Sequence, residues 1–114
     1  MLNDAYRTAV KEDFQKGFEA YNAGDYATAL QEWRPLAEQG GADAQAKLGF
    51  MYQVGEGVPQ DNAEAIKWNQ LAAEQGYAGA QYNLGFMYEK GRGVEQDDAE
   101  AVEWYRKAAE QGNA

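Results

Sequence analysis

The sequence contains one 36-residue segment written twice in succession, and this repeat constrains the fold more than any other feature. Residues 42–77 and 78–113 align without a gap, and 22 of the 36 aligned positions are identical. The shared residues include LGFMY, G-x-G-V, Q-D, A-E-A and A-A-E-Q-G. Because chance does not produce such a match, each copy should form the same structural unit and pack against its neighbour.

A shorter and less regular copy precedes these two. Residues 25–40 match residues 61–76 at the same spacing of 36, but upstream of Asp25 the spacing falls to 31, which pairs Tyr21 with Tyr52. This alignment predicts that the first copy lacks five residues. The missing length should lie in a loop, because loops absorb changes of length and helices do not.

Each copy has the pattern of two helices. The apolar residues from Ala44 to Tyr52 recur at helical spacing, and Gly55 suits the left-handed turn that ends a helix. Asp61, followed three residues later by Glu64, matches a capping box at the start of the next helix. Pro35 should kink or interrupt the second helix. The periodicity predicts six helices, at about residues 4–22, 27–39, 43–54, 62–75, 79–90 and 98–111.

Composition and charge exclude several classes of protein. The chain has no cysteine and no histidine, so it lacks disulfides, thiolate metal sites and the usual general base near neutral pH. Its net charge of −9 repels phosphate backbones and anionic membranes. No apolar run approaches the roughly 20 residues of a membrane span, and the first residues lack the apolar core of a signal peptide. We therefore expect a soluble protein without nucleic-acid binding or membrane insertion, for which periplasmic, exported and cytoplasmic locations all stay open.

The motifs that suggest chemistry have simpler structural interpretations. The G-x-G motifs at 55–57 and 91–93 lack the third glycine, the preceding strand and the lysine of phosphate-binding loops, so they predict inter-helix turns. The polar pairs at 61–62 and 97–98 lack the ligand order of a calcium loop and predict helix caps. We expect no catalytic, metal or cofactor site. A hydrolase that uses paired carboxylates is a remote alternative, because 19 acidic residues bring some carboxylates together by chance.

The second copy resembles a Sel1-like repeat through the stretch ADAQAKLGFMYQVGEGVPQDNAEAIKWNQLAAEQG, and the third copy resembles it too. The first copy, GFEAYNAGDYATALQEW, resembles the shorter tetratricopeptide repeat. The resemblance implies an all-α fold, a right-handed solenoid of three antiparallel helix pairs. We accordingly expect a single repeat domain over residues 1–114, made of an N-terminal helix with a degenerate repeat (1–41) and two Sel1-like repeats (42–77 and 78–114).

The resemblance also implies a function. Members of these families are generally adaptors, and the first helix of each pair lines a concave groove that holds an extended segment or a helix of a partner protein. Several first-helix positions differ between the two full copies, namely 43/79, 46/82, 47/83, 53/89 and 54/90, and are free to meet a partner. The family's concave positions, carried over one by one, select Glu19, Asn22, Phe50, Gln53, Tyr82, Phe86 and Glu89, and Asn83 is added because it lies beside Tyr82.

Two interpretations of these residues remain open. Phe50, Tyr82 and Phe86 would place three aromatic rings in a groove with a polar rim, which is the composition of binding hot spots. Alternatively, Phe50 and Phe86 only pack between adjacent first helices. The acidic balance of the chain favours a partner protein or peptide of basic character.

The last predicted helix suggests a different contact. It carries Val102, Trp104, Tyr105 and Ala109, and no further helix of the sequence covers them. Repeat arrays need terminal units with a polar outer face. We therefore expect an open apolar area there, and a homodimer through this helix. A structural oligomerisation module is thus the alternative to a groove-binding adaptor.

Overall fold

The computed structural model describes residues 2–112, and side chains from Thr8 to Gly112, as a chain of six helices without a strand. The observed helix ends agree with the predicted ones to within two residues, because the apolar periodicity and the helix-ending glycines occur in both full copies. The helices are α1 (Leu2–Asn22), α2 (Tyr26–Glu38), α3 (Ala42–Val54), α4 (Asn62–Glu74), α5 (Ala78–Lys90) and α6 (Asp98–Gly112).

The helices stack in sequence order. Each one packs mainly on its neighbours along the chain, and α3 also touches α5. The result is an elongated body of 44 × 33 × 21 Å in which α1, α3 and α5 are the first helices of three pairs. The predicted all-α solenoid of three helix pairs is confirmed.

Two buried clusters hold the stack together. One lies around Trp33, whose indole Nε1 donates to the backbone carbonyl of Phe14 at 3.0 Å, so that this buried polar atom is satisfied. The small alanines of the other cluster let neighbouring backbones approach closely. This second cluster joins α3, α4 and α5 through Ala46, Ala72, Ala73, Ala80 and Leu84.

In each pair, a glycine of the first helix lies directly against one side chain of the second helix. A Cβ atom added to Gly17 would lie 2.3 Å from Nε1 of Trp33, which is closer than real Cβ atoms come to any heavy atom. The absence of a side chain therefore sets the distance between the two helices of a pair. The three contacts are Gly17 with Trp33, Gly49 with Asn69, and Gly85 with Tyr105.

These contacts fix the alignment of the first copy. The glycines of the first and second pairs are 32 residues apart. The turn at the end of the first helix keeps the predicted spacing of 31, because the left-handed glycines Gly24 (φ 81°) and Gly55 (φ 77°) are equivalent. Likewise, the amide of Asp25 donates to Ala20 (2.8 Å) as the amide of Glu56 donates to Met51 (3.0 Å). The loop of the first copy is therefore five residues shorter, as predicted, whereas the packed part of the first helix follows a spacing of 32.

The predicted helix caps and glycine turns are present. The carboxylate of Asp61 accepts hydrogen bonds from the amides of Ala63 (3.0 Å) and Glu64 (3.2 Å), and Gly55 has a φ of 77° at the end of α3. The second hydrogen bond of the capping box, from the amide of Asp61 to the side chain of Glu64, does not form, because that amide already donates to the carbonyl of Tyr52. The turn glycines thus shape loops between helices.

The predicted interruption of α2 at Pro35 is wrong. The helix runs from Tyr26 to Glu38, with Pro35 on its exposed side near the C-terminal end. Only a short part of the helix follows the missing N–H group, and Trp33 and Leu36 anchor α2 in the core on either side of the proline.

Candidate protein-binding groove

A groove of about 450 Å³ opens on the first helices. We call it the first-helix groove. Three of the eight predicted binding residues line it: Phe50, Tyr82 and Asn83. The full lining consists of Tyr21 from α1, of Ala46, Lys47 and Phe50 from α3, and of Tyr77, Gly79, Tyr82 and Asn83 at and within α5.

Aromatic rings give the groove its apolar character. Phe50 is 38% exposed and Tyr82 is 59% exposed, although both are large side chains that would gain from burial. Ala46 is buried below them, and its small size leaves the space between α3 and α5 open. Such a lining can bury an apolar or planar side chain of a partner.

Two predicted residues, Glu19 and Asn22, lie on α1 and are exposed, but they do not line the first-helix groove. They were selected with the spacing of 31. The spacing of 32 between the packing glycines Gly17 and Gly49 instead places Phe18 and Tyr21 at the positions of Phe50 and Gln53. An alignment on the glycine that precedes each phenylalanine, Gly17 and Gly49, would have identified them.

The other three predicted residues do not line the groove. Gln53 is half-buried, and its Oε1 has no hydrogen-bond partner among the described residues. Phe86 is half-buried, with the guanidinium carbon of Arg92 at 5.5 Å from the ring centroid. Glu89 lines an adjoining depression together with Tyr82.

The sequence matches a known repeat family over most of its length. The family model described as Sel1 repeat matches residues 42–77 and 78–113. The chain belongs to the Sel1 repeat family. Members of this family generally mediate protein–protein interactions and are generally non-catalytic.

Solved structures share both sequence and fold with the Sel1 repeats of this chain. The Sel1 repeat protein from Oxalobacter formigenes is 43% identical, with a TM-score of 0.81 over 87% of this chain and 39% of its own. The protective antigen c5321 of uropathogenic Escherichia coli, which displays an SLR fold, is 41% identical, with a TM-score of 0.86 over 96% of this chain and 24% of its own. The chain therefore corresponds to a part of each of these longer proteins.

A curated relative is similar over a shorter stretch. The exopolysaccharide production negative regulator of Rhizobium leguminosarum bv. viciae is 41% identical over 54 residues. The match covers 47% of this chain and 20% of that protein. These three relatives are bacterial.

Two hydrogen bonds from tyrosine to glutamate involve residues of the first-helix groove or of the adjoining depression in these Sel1 repeats. The hydroxyl of Tyr21 donates to Oε1 of Glu56 (2.6 Å), and the hydroxyl of Tyr105 donates to Oε1 of Glu89 (2.7 Å). Burial first, and then the hydrogen bond to the glutamate, raises the pKa of each tyrosine to about 12. Both hydroxyls therefore keep their protons at physiological pH and hold the carboxylates in place.

The described side chains, from Thr8 to Gly112, include no group of three or more acidic residues that could hold a metal ion. None of the helices within residues 2–112 has the combination of length and apolar character that a membrane span requires.

Proposed function

We propose that this chain is a non-catalytic adaptor that binds a peptide segment or a partner helix in the first-helix groove, with the three helix pairs acting as one binding domain. The main observation behind this proposal is that three successive first helices contribute to one groove, in which Phe50 and Tyr82 remain exposed. The general role of the Sel1 repeat family in protein interactions supports the proposal. So does the description of the curated relative as a regulator.

Exposed area indicates which side chain contributes most to binding. Complete burial of a large apolar side chain stabilises by about 1.5–3 kcal/mol, in proportion to the area that is covered. Tyr82 has the larger exposed fraction, so it should be the stronger hot spot, and Phe50 the weaker one.

The test begins with peptides selected from a random displayed library against the full chain. Bound peptides should shift the amide resonances of α3 and α5 next to the groove. The double substitution Phe50→Ala and Tyr82→Ala should weaken binding at least about tenfold, since each truncation of a hot spot costs more than about 1 kcal/mol.

A matched control removes exposed apolar side chains elsewhere. Leu71 on α4 and Val102 on α6 are exposed and do not line the first-helix groove, so the double substitution Leu71→Ala and Val102→Ala should leave binding unchanged. Equal binding by the groove variant and the wild-type chain would refute the adaptor proposal.

The outer face of α6 supports a second candidate function, association of two copies through that helix. Ala73 of α4 is buried under α5, whereas its equivalent Ala109 is exposed, and Val102 of α6 is also exposed. The substitution Ala109→Glu should keep the chain monomeric in light scattering, and Glu110→Lys, on the same helix, is the control. A wild-type monomer at millimolar concentration would rule this candidate out.

A further inference from the structure

The equivalent phenylalanines of the three first helices differ in whether a cation lies over the ring. Nζ of Lys47 lies 5.6 Å from the ring centroid of Phe18, and the guanidinium carbon of Arg92 lies 5.5 Å from that of Phe86. Of the side chains described from Thr8 to Gly112, no lysine or arginine lies over the ring of Phe50. Phe50 is also the member of this row that lines the first-helix groove.

The repeat itself explains why Phe50 lacks a cation. Lys47 comes from α3 and covers a ring on the preceding first helix, α1. The residue 36 positions after Lys47 is Asn83, which comes from α5 and lines the groove together with Phe50. An uncharged amide therefore stands at the position from which a lysine would cover this ring.

The charges around the groove favour a cation as the occupant. Glu56 accepts a hydrogen bond from the groove residue Tyr21, and Glu89 accepts one from Tyr105 and lines the adjoining depression together with Tyr82. The ring of Tyr105, which holds Glu89, packs against the groove residue Tyr82 with centroids 5.2 Å apart. Lys47 also lines the groove and would repel a bound cation, but its ammonium group already lies over the ring of Phe18. The net charge of −9 adds a long-range attraction for basic partners.

We propose that the groove holds a lysine or arginine side chain of a partner segment over the ring of Phe50, among Tyr77 and Tyr82. The inference rests on the adaptor function proposed above and names the chemistry of the partner, a basic segment. Arginine is the better ligand, because a planar guanidinium stacks on aromatic rings and is weakly hydrated.

Blocked pentapeptides of the form Ser-Ala-X-Ala-Ser test this preference, with arginine, citrulline, glutamate or leucine at X. Citrulline has the shape of arginine without its charge. Titrated into the full chain, the arginine peptide should shift the resonances of Phe50, Tyr82 and Asn83 and bind about two- to fivefold more tightly than the citrulline peptide. Equal binding of these two peptides, or tightest binding of the glutamate or leucine peptide, would overturn the proposal.

Substitutions of Asn83 and of Phe50 make the test more specific. Asn83→Lys places a cation where it can cover Phe50, as Lys47 covers Phe18, and should remove the preference for arginine over citrulline. Asn83→Gln is the neutral control and should preserve the preference. Phe50→Leu keeps apolar bulk without a ring and should also remove it. A preference that survives Asn83→Lys and Phe50→Leu would contradict the cation site.

The outcomes separate this inference from the adaptor function. Displayed peptides that bind in the groove without any basic residue would overturn the cation site and leave the groove function standing. Peptides whose resonance shifts fall only on α2, α4 and α6 would refute both.

Discussion

Replacement of Gly17 by alanine tests directly whether a bare backbone in the first helix sets the spacing of each helix pair. The new Cβ would lie 2.3 Å from Nε1, 2.6 Å from Cδ1 and 2.7 Å from Cε2 of Trp33. Trp33 is fully buried, so its ring cannot turn away into solvent. A shift of the indole would also break its 3.0 Å hydrogen bond to the carbonyl of Phe14.

Three contributions decide the magnitude for Gly17→Ala. Overpacking of a well-filled core costs about 1–3 kcal/mol. A buried donor left without its acceptor costs about 1–3 kcal/mol. The higher helix propensity of alanine returns about 1 kcal/mol. The free energy of unfolding should therefore fall by about 1–5 kcal/mol.

The assay is urea denaturation followed by circular dichroism, with Gly79→Ala as the matched control. Gly79 also lies in a first helix, but its added Cβ would meet only the half-buried ring of Tyr77, at 3.3 Å. This control should be neutral or slightly stabilising. In a double-mutant cycle, Trp33→Phe should cost less in the Gly17→Ala background than in the wild type. Equal stability of Gly17→Ala and Gly79→Ala would refute the argument.

Three further predictions concern buried polar groups and a helix cap. Asn69 is fully buried, its Oδ1 has no hydrogen-bond partner among the described residues, and its amide donates only to a methionine sulfur at 3.7 Å. Asn69→Leu should therefore leave the free energy of unfolding unchanged or raise it by about 1 kcal/mol. A fall of more than about 1 kcal/mol in urea denaturation would contradict this expectation. The pKa values of Tyr21 and Tyr105 are raised from 10.0 to about 12, so the unfolded chain loses these protons first: their contribution to stability is complete below pH 10 and disappears as pH rises through about 12. The melting temperature should therefore fall above pH 10, and less steeply in a chain with both tyrosines changed to phenylalanine; an equally steep fall would argue against the assignment. Asp61→Ala removes the cap of α4 and should cost about 0.5–2 kcal/mol in thermal unfolding, whereas Asp61→Ser should retain most of that stability.

The helices could be predicted closely because their signals are local. Apolar periodicity, the capping aspartates and the turn glycines all act within a few residues, and two copies of the same sequence state them twice. Pro35 was misjudged because a proline near the end of a helix disturbs little, and the burial of its neighbours is not visible in a local pattern.

The residues that line the groove were only partly predictable, because they depend on contacts between repeats. The sequence match of Tyr21 with Tyr52 concealed the register that Gly17 and Gly49 set through their packing against the second helices. The spacing of 31 holds at the turn glycines Gly24 and Gly55 but not in the packed part of the helix, and it therefore selected Glu19 in place of Phe18. Tyr77 was missed for another reason: it precedes α5 in the chain and joins the groove only through the stacking of α5 on α3.

The two full copies nevertheless divide their positions between scaffold and groove. The first-helix glycines and the second-helix alanines that allow close packing are identical in both copies, although the side chains that Gly49 and Gly85 meet, Asn69 and Tyr105, differ. The groove falls largely on residues that differ, with Ala46 and Lys47 in one copy replaced by Tyr82 and Asn83 in the next. Phe50 is a lining residue that is identical in both full copies. The residues beside it, Ala46 and Lys47 in one copy and Tyr82 and Asn83 in the next, differ in charge and in size. The repeat therefore holds one ring in place and changes what surrounds it, so the chemistry of the site is decided at the positions where the copies disagree.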